Sequence, residues 1–559
     1  MVSRKQKAKS GATAPRPPAP PDSRAVGERH QFWLGAAALI VIGFVSFLPA
    51  VWAGFVWDDE LVHSNPLLES ANGLWRIWTD PYSSAEKDPR YWPILYTSFW
   101  IEHQLWGAAP MGYHIVNLAL HALNGVLVWI LLRRLGVPGA WLAAAIFLAH
   151  PTRAEVAAWV IERKGLLSST FYLLSCLAFL RFFDTRKRGI HAVSLLLFVC
   201  AILTKPTTVT LPAALALWVW WKRDEPELRD WAALIPFFTV SAGAAAFTVW
   251  FAGEFSLALP GLSPLERFLV SGRAIWFYAE KIVWPFHLMA IYPRWPIDTA
   301  SAAPYLFPAA AFLAALGLWI ARGSIGKAPL VALLYFILTL APVLGVVEFS
   351  FMIESYVADR FLYLPGIAPI ALICAAVAIG ARRWGEASRQ GVWALCAILI
   401  VGLGSLSWRQ AALYHSLLTL FGHCVESNPE SATAHNNYGY GLRDAGRLDE
   451  AIEHFARAAE LRPGYATALN NLGAAYGKLG HFDEAIQHLE QAIEVRANYA
   501  EAHNNLANAL CGKGRFEEAS MHLQEALRID PDYESARKNL ALVEDMMRNA
   551  ALPLAGPPL

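Results

Sequence analysis

The chain has 559 residues, 56% of them hydrophobic and only 16% charged, with 23 Trp. A soluble protein carries roughly a quarter charged residues, so this composition excludes a simple soluble fold and requires a membrane-embedded part. A formal net charge of +1 excludes a broadly basic nucleic-acid binder.

Residues 1–30 are rich in Lys, Arg, Pro and Ala, lack an apolar face, and read as a disordered basic tail. No small-residue cleavage site separates the first apolar run from Trp57, so that run reads as a retained span and not as a removed signal. Apolar runs predict membrane-crossing helices near 32–53, 112–132, 138–150, 164–183, 190–204, 207–221, 231–251, 303–321, 328–347, 360–381 and 391–408, about eleven spans. The stretch 265–296 is interrupted by Arg267, Arg273, Glu280, Lys281 and several Pro, and reads as interfacial. Arg133-Arg134, Arg186-Lys187-Arg188, Lys222-Arg223, Lys327 and Arg382-Arg383 then share one side with the basic N-terminus. The positive-inside rule makes that side cytoplasmic. Segments 57–111, 150–163, 252–302 and 348–359 fall on the other face. Cys176, Cys200, Cys374, Cys396, Cys424 and Cys511 form no CxxC pair, which argues against a disulfide framework or a zinc site.

Acids rarely stand close to hydrocarbon without a reason, because desolvating a carboxylate is costly. Asp58, Asp59 and Glu60 follow Trp57 where the first span leaves the bilayer. They either end a helix and face water or supply a catalytic base. In the second span His114, Asn117, His121 and Asn124 recur at spacings of three and four, on one helical face. This stripe serves either helix–helix hydrogen bonding or a polar site. Four outer segments retain cations: His150-Pro151-Thr152-Arg153-Ala154-Glu155 with Glu162-Arg163-Lys164, then Lys205, then Lys281, then Asp359-Arg360 with Tyr363. Each cation alone would be a snorkelling anchor. Together, on a face that ordinarily lacks Lys and Arg, they point to an anionic ligand such as a lipid-linked phosphate.

After about Arg409 the chain turns charged and soluble in character. Ala432–Tyr465, Ala466–Tyr499 and Ala500–Tyr533 align without gaps at the roughly 34-residue period of tetratricopeptide helix pairs. Each carries an Asn pair (Asn436-Asn437, Asn470-Asn471, Asn504-Asn505), a turn Gly (Gly446, Gly480, Gly514) and an acidic pair. Stacked repeats leave a concave surface. Asn437, Asn471 and Asn505 are candidates to line a groove for an acceptor protein or peptide; alternatively the array only packs on the membrane part. The expected fold class is all-α, a polytopic membrane helical bundle followed by an α-solenoid. Its boundaries are 1–30 for the tail, 31–409 for the bundle, 410–548 for about three and a half repeats with a capping helix, and 549–559 for a second disordered tail.

The order Trp57-Asp58-Asp59, His114/Asn117/His121, His150-Pro151 with Glu155 and Trp159, Lys205 with Thr210-Leu211-Pro212, Arg360 and Tyr363, then tetratricopeptides, resembles the transmembrane-and-tetratricopeptide O-mannosyltransferase-like family of the glycosyltransferase C superfamily. The resemblance spans about 32 to 545. It implies a polyprenyl-phosphate-linked sugar as donor and a Ser or Thr hydroxyl of a protein as acceptor, on the non-cytoplasmic face. It implies that Asp58 or Asp59 is the catalytic base and that Arg360 binds the donor phosphate, with Lys205, Arg163 and Tyr363 beside it. His150, Arg153, Glu155, His114 and His121 would line the substrate site. The compact repeat array is similar to that of bacterial relatives, which implies a multi-pass protein of a bacterial inner membrane, with its N-terminus cytoplasmic and its repeats periplasmic or lumenal. Where relatives often show Tyr-Arg-Pro-Leu this chain has Arg90-Tyr91-Trp92-Pro93-Ile94, and where they often have Lys-Glu it has Lys205-Pro206. A carboxylate pair is compatible with a divalent cation, but no ligand set is complete, so no metal ligands are assigned. Two other readings are a non-catalytic membrane scaffold and a lipid-linked oligosaccharide ligase; the ligase would depend on His150 and not on the acids.

Overall fold

The computed structural model describes residues 23–82, 91–254, 261–383 and 385–551. Arg90 and much of both expected tails (1–22 and 552–559) lie outside the described residues. Among those described, helices account for every regular element and no strand occurs.

Each of the eleven apolar runs forms a helix: α1 (Ser23–Ser46), α2 (Pro110–Arg134), α3 (Ala140–Ala149), α4 (Arg163–Thr185), α5 (Arg188–Thr204), α6 (Leu211–Lys222), α7 (Ile235–Glu254), α8 (Ala303–Ile325), α9 (Ala328–Leu340), α10 (Ile367–Ala381) and α11 (Glu386–Ala412). Six helical stretches are long and apolar enough to cross a membrane, and four further apolar helices are shorter. α1 begins at Ser23, ahead of the expected start, because the polar turns before Phe32 can stay exposed while the apolar run packs. The interrupted stretch becomes a helix, Pro264–Val283, whose Ala274 and Tyr278 enter the bundle core while Trp276 and Glu280 face outward. Gly125 of α2 lies against Leu148 of α3; a Cβ there would collide with that side chain, so the close approach requires glycine.

The loops sort into two ends. At one, Arg134 pairs with Asp184, Arg186 and Arg223 with Asp230, and Lys327 with Asp224. At the other, the segments after α1 and α3, the stretch after Val283 and the stretch before α10 meet one another. His150 Nε2 reaches the Ile282 carbonyl at 3.0 Å, and the Tyr292 hydroxyl donates to Asp359 at 2.9 Å. This second end carries its own apolar core, from Phe47 and Val56 through Trp159 to Phe421 and Cys424.

The last quarter of the chain changes in chemistry without a break. α11 runs to Ala412, a short turn follows, and α12 (Leu417–Ser427) packs with the second-end core. Three helical hairpins come next: α13 (Ala432–Asp444) with α14 (Leu448–Leu461), α15 (Ala466–Lys478) with α16 (Phe482–Val495), and α17 (Ala500–Gly512) with α18 (Phe516–Ile529). The capping helix α19 (Glu534–Ala551) closes the stack. Gly446, Gly480 and Gly514 stand at φ of 78°, 82° and 74°, the left-handed conformation that ends the first helix of each hairpin.

Candidate active site

The acidic turn is wedged between the bundle and the repeats. Trp57 sits at φ 52°, which costs a bulky residue about 1–3 kcal/mol. It is held there by Trp159, stacked at 4.8 Å and 9°, and by the edge of Phe421 at 5.4 Å. The Trp159 indole N–H donates to the Val56 carbonyl at 3.1 Å. Asp59 is wholly buried. Its Oδ2 accepts the Val56 N–H at 2.9 Å and its Oδ1 accepts the Ile161 N–H at 2.8 Å. Burial raises its carboxyl to about 7, against those two amide donors. Asp58, one residue earlier, remains partly exposed, and Glu60 is exposed. Two adjacent acids thus differ in kind: Asp59 pins the turn to the segment before α4, while Asp58 is presented at its surface.

Trp159 also borders a buried charge cluster. Arg360 forms an ion pair with Glu155, and its backbone N–H donates to Glu155 Oε2 at 2.8 Å. Arg360 Nε lies 3.7 Å from Glu162, which also pairs with Lys164 at 2.9 Å and Lys205 at 3.3 Å. Three cations, Arg360, Lys164 and Lys205, therefore face two carboxylates, Glu155 and Glu162. Burial pulls Arg360 down, but Glu155 and Glu162 outweigh it and hold the guanidinium above its ordinary value. Burial lowers Lys205. Aromatic rings complete the enclosure, with the Arg360 guanidinium 4.1 Å from Phe351 and 5.7 Å from Trp159. Lys205 and Arg360 line a cavity with Ser169, Thr207, Thr208 and Tyr363. Hydroxyls and cations around one hollow suit the oxygens of a phosphate or sugar.

Several predicted site residues lie elsewhere, in buried networks that leave Arg153 Nε and Nη2 and His114 Nδ1 without hydrogen-bond partners. Arg163 is fully buried, ion-paired with Glu102, and donates to Asn117 Oδ1 and the Tyr113 carbonyl at 2.7 Å each. All three of its nitrogens are engaged away from the cavity. The two ring nitrogens of His150 meet Thr152 at 2.8 Å and the Ile282 carbonyl at 3.0 Å; the carbonyl contact makes Nε2 the protonated nitrogen. Burial depresses its pKa to about 3, so the ring is neutral. His121 bridges the Leu148 carbonyl (3.1 Å) and the Tyr363 hydroxyl (2.9 Å), and Asn124 donates to the same hydroxyl. His114 faces the Gly54 carbonyl at 3.3 Å. The polar stripe of α2 therefore ties α2 to α4 and to the segment before α10. Arg153 donates to the Leu362 carbonyl at 2.7 Å and lies over Phe147 and Tyr363, pressed against Gly366. Tyr363 thus joins both groups, its ring edge on the cavity and its hydroxyl in the stripe.

In the repeats, the Asn side chains bond along the stack. Asn471 donates to Asn436 at 3.0 Å, Asn505 to Asn470 at 2.9 Å, and Asn539 of the capping helix to Asn504 at 2.9 Å. Asn437 accepts from Asn436 at 3.1 Å. The ladder locks successive repeats in register, so Asn471 and Asn505 spend at least one donor on the array itself. Among the described residues no group of three or more His, Cys, Asp or Glu is placed to hold a metal ion.

The sequence placed Glu162 and Lys164 in one of the outer cationic segments and Trp159 in the family pattern, but gave none of the three an individual role. Their signal was present in the spacing: Trp159, Glu162 and Lys164 surround the buried Arg163 in one short segment. Their convergence on Arg360 depends on a contact about two hundred residues away, which spacing does not carry.

Two tetratricopeptide-repeat family models match residues 430–498 and 478–542. Protein O-mannosyl-transferase Tmtc1 of Drosophila melanogaster is 30% identical over 190 residues, 32% of this chain and 22% of its own. Protein O-mannosyl-transferase F38B6.6 of Caenorhabditis elegans is 25% identical over 452 residues, covering 75% of this chain and 61% of its own. Human protein O-mannosyl-transferase TMTC1 is 24% identical over 489 residues, 75% of this chain and 54% of its own. The chain thus spans less than two thirds of each of these relatives. Among solved structures, the tetratricopeptide domain of Arabidopsis OM64 covers 21% of this chain and 95% of its own at 20% identity and a TM-score of 0.20.

Proposed function

We propose that this chain, whose curated homologues over three quarters of its length are TMTC protein O-mannosyl-transferases, is an integral-membrane glycosyltransferase. It moves a sugar, mannose by this reading, from a polyprenyl-phosphate donor to a Ser or Thr hydroxyl of a protein held by the repeats. The reaction takes place on the face opposite the cytoplasm, periplasmic in a bacterial inner membrane. The observation that carries the proposal is the proximity of two groups at Trp159: Trp57 of the Asp58 turn stacks on its ring at 4.8 Å, and the guanidinium of Arg360, which lines the cavity with Lys205, lies 5.7 Å from the same ring.

Each part then has a task. Asp58 takes the proton of the acceptor hydroxyl as it attacks the anomeric carbon. Arg360 and Lys205, with Lys164 behind Glu162, stabilise the charge that returns to the leaving phosphate. Glu155 fixes Arg360 through both its backbone and its guanidinium. Asp59 is a positioning residue that holds the turn. Arg163, His150, His114 and His121 hold the scaffold on which these groups stand.

The test is transfer of radiolabelled mannose from polyprenyl-phosphate mannose to protein acceptors by the purified, reconstituted protein. Activity is expected in the native protein and absent in the Asp58→Ala, Asp59→Ala double variant. Undiminished activity in the double variant would sink the assignment.

A further inference from the structure

The repeat array does not hang from the last span by a flexible arm. Phe421 of α12 closes on Trp57, the Gly54 N–H donates to the His415 carbonyl at 3.1 Å, and the Asn428 amide donates to the Ile291 carbonyl at 3.2 Å. Beyond these contacts comes one ion pair between the array and the bundle end. Arg462, at the end of the first hairpin, donates through Nη2 to both carboxylate oxygens of Glu354 at 2.9 Å and to Thr433. The guanidinium also lies 4.6 Å from the ring of Tyr465. The pair is partly shielded, with side-chain exposures of 31% and 18%.

We propose that this contact is a latch that makes the first repeat a wall of the active site, so that an acceptor segment lying in the concave groove reaches Asp58 at a fixed spacing. The inference rests on the glycosyltransferase reading and names the residues that position its acceptor. Two geometric facts carry it. Glu354 belongs to the same stretch as Arg360, so one loop touches both the cation cavity and the repeats. The Arg462 guanidinium lies over the Tyr465 ring of its own repeat while it bonds Glu354 of the loop, so one side chain joins the two. Burial raises the Tyr465 hydroxyl, and the nearby carboxylates of Glu354 and Asp58 push it the same way. The next hairpin shows what the latch adds. Arg496 lies over Tyr499 at 3.3 Å in the same pattern, but Arg496 is exposed. The Arg–Tyr stack is therefore a habit of the repeat, and Glu354 recruits its first copy to the bundle.

The experiment uses the full chain in liposomes, with polyprenyl-phosphate mannose as donor. Two acceptors are compared: a Ser/Thr-containing peptide of about thirty residues, long enough to lie along the groove, and its fragment of about eight residues around the modified hydroxyl. In Arg462→Ala or Glu354→Ala, the KM for the long peptide is expected to rise about tenfold towards that of the fragment, with kcat for the fragment unchanged. The exchanged pair, Glu354→Arg with Arg462→Glu, is expected to restore the long-peptide KM. Hydrogen exchange of residues 57–60 supplies a readout without an acceptor: it is expected to speed up by about tenfold in Arg462→Ala and to recover in the exchanged pair. Equal KM changes for both peptides, or unchanged exchange at 57–60, would overturn the latch. Absence of transfer from the native protein with a working latch by exchange would instead overturn the glycosyltransferase reading.

Discussion

Two buried arginines at the same end of the bundle have opposite surroundings. Arg163 has an acceptor for every nitrogen: Glu102, Asn117 and the Tyr113 carbonyl. All three guanidinium nitrogens are thereby engaged, while Glu102 keeps one buried oxygen without a partner. Arg360 is also buried and paired, but its cluster holds one cation more than carboxylates and borders a hollow lined with hydroxyls. Burial and an ion pair are common to both. Access to the hollow separates them, and under the proposed function the first is scaffold and the second holds the donor. Asp59 is wholly buried with both oxygens on backbone amides, whereas Asp58 beside it is partly exposed.

Substitutions can break or sharpen this contrast. The largest effect on transfer is expected at Asp58: Asp58→Asn should cost about 10² to 10⁴ in kcat, measured at saturating donor, with the melting temperature unchanged. Arg360→Gln should cost about 10² to 10³ in kcat/KM for the lipid donor. Arg163→Ala should act on folding, because it leaves Glu102 buried without its cation, a loss of about 3–5 kcal/mol read as a large fall in melting temperature. Asn471→Ala removes one inter-repeat bond and should cost about 1 kcal/mol, visible by thermal unfolding and with little effect on transfer to short peptides.

A further expected effect is a slope with pH. Burial raises the folded Asp59 carboxyl from 3.8 to about 7. Between those values the folded chain binds more protons than the unfolded one, so stability falls as pH rises through that window and levels off above it. Melting temperature should therefore decline between about pH 5 and pH 8 in the native protein. Asp59→Asn should melt lower throughout and lack the slope, since its amide cannot accept from both Val56 and Ile161.

The architecture was legible because its signals are local. Apolar runs gave helices at all eleven places, and Gly446, Gly480 and Gly514 gave the turns of the hairpins. The loops that the charge bias assigns to one side do contact one another. The roles within the site were less legible, because each depends on a partner far along the chain. Asp58 and Asp59 look alike in sequence until Ile161, about a hundred residues on, claims one of them. Arg163 and Arg360 both read as cations of outer segments, and only Glu102 and Glu155 tell them apart. The relatives' Lys-Glu is missing here, yet Lys205 still finds a carboxylate, Glu162, from another segment.

The most direct test of the contrast is binding of a polyprenyl phosphate, without sugar, to the purified protein by native mass spectrometry. Arg360→Gln with Lys205→Gln is predicted to weaken binding by at least about tenfold, compared below the variant's own melting temperature because Glu155 and Glu162 lose cations in it. Binding equal to that of the native protein would contradict the assignment of the open cluster as the phosphate site.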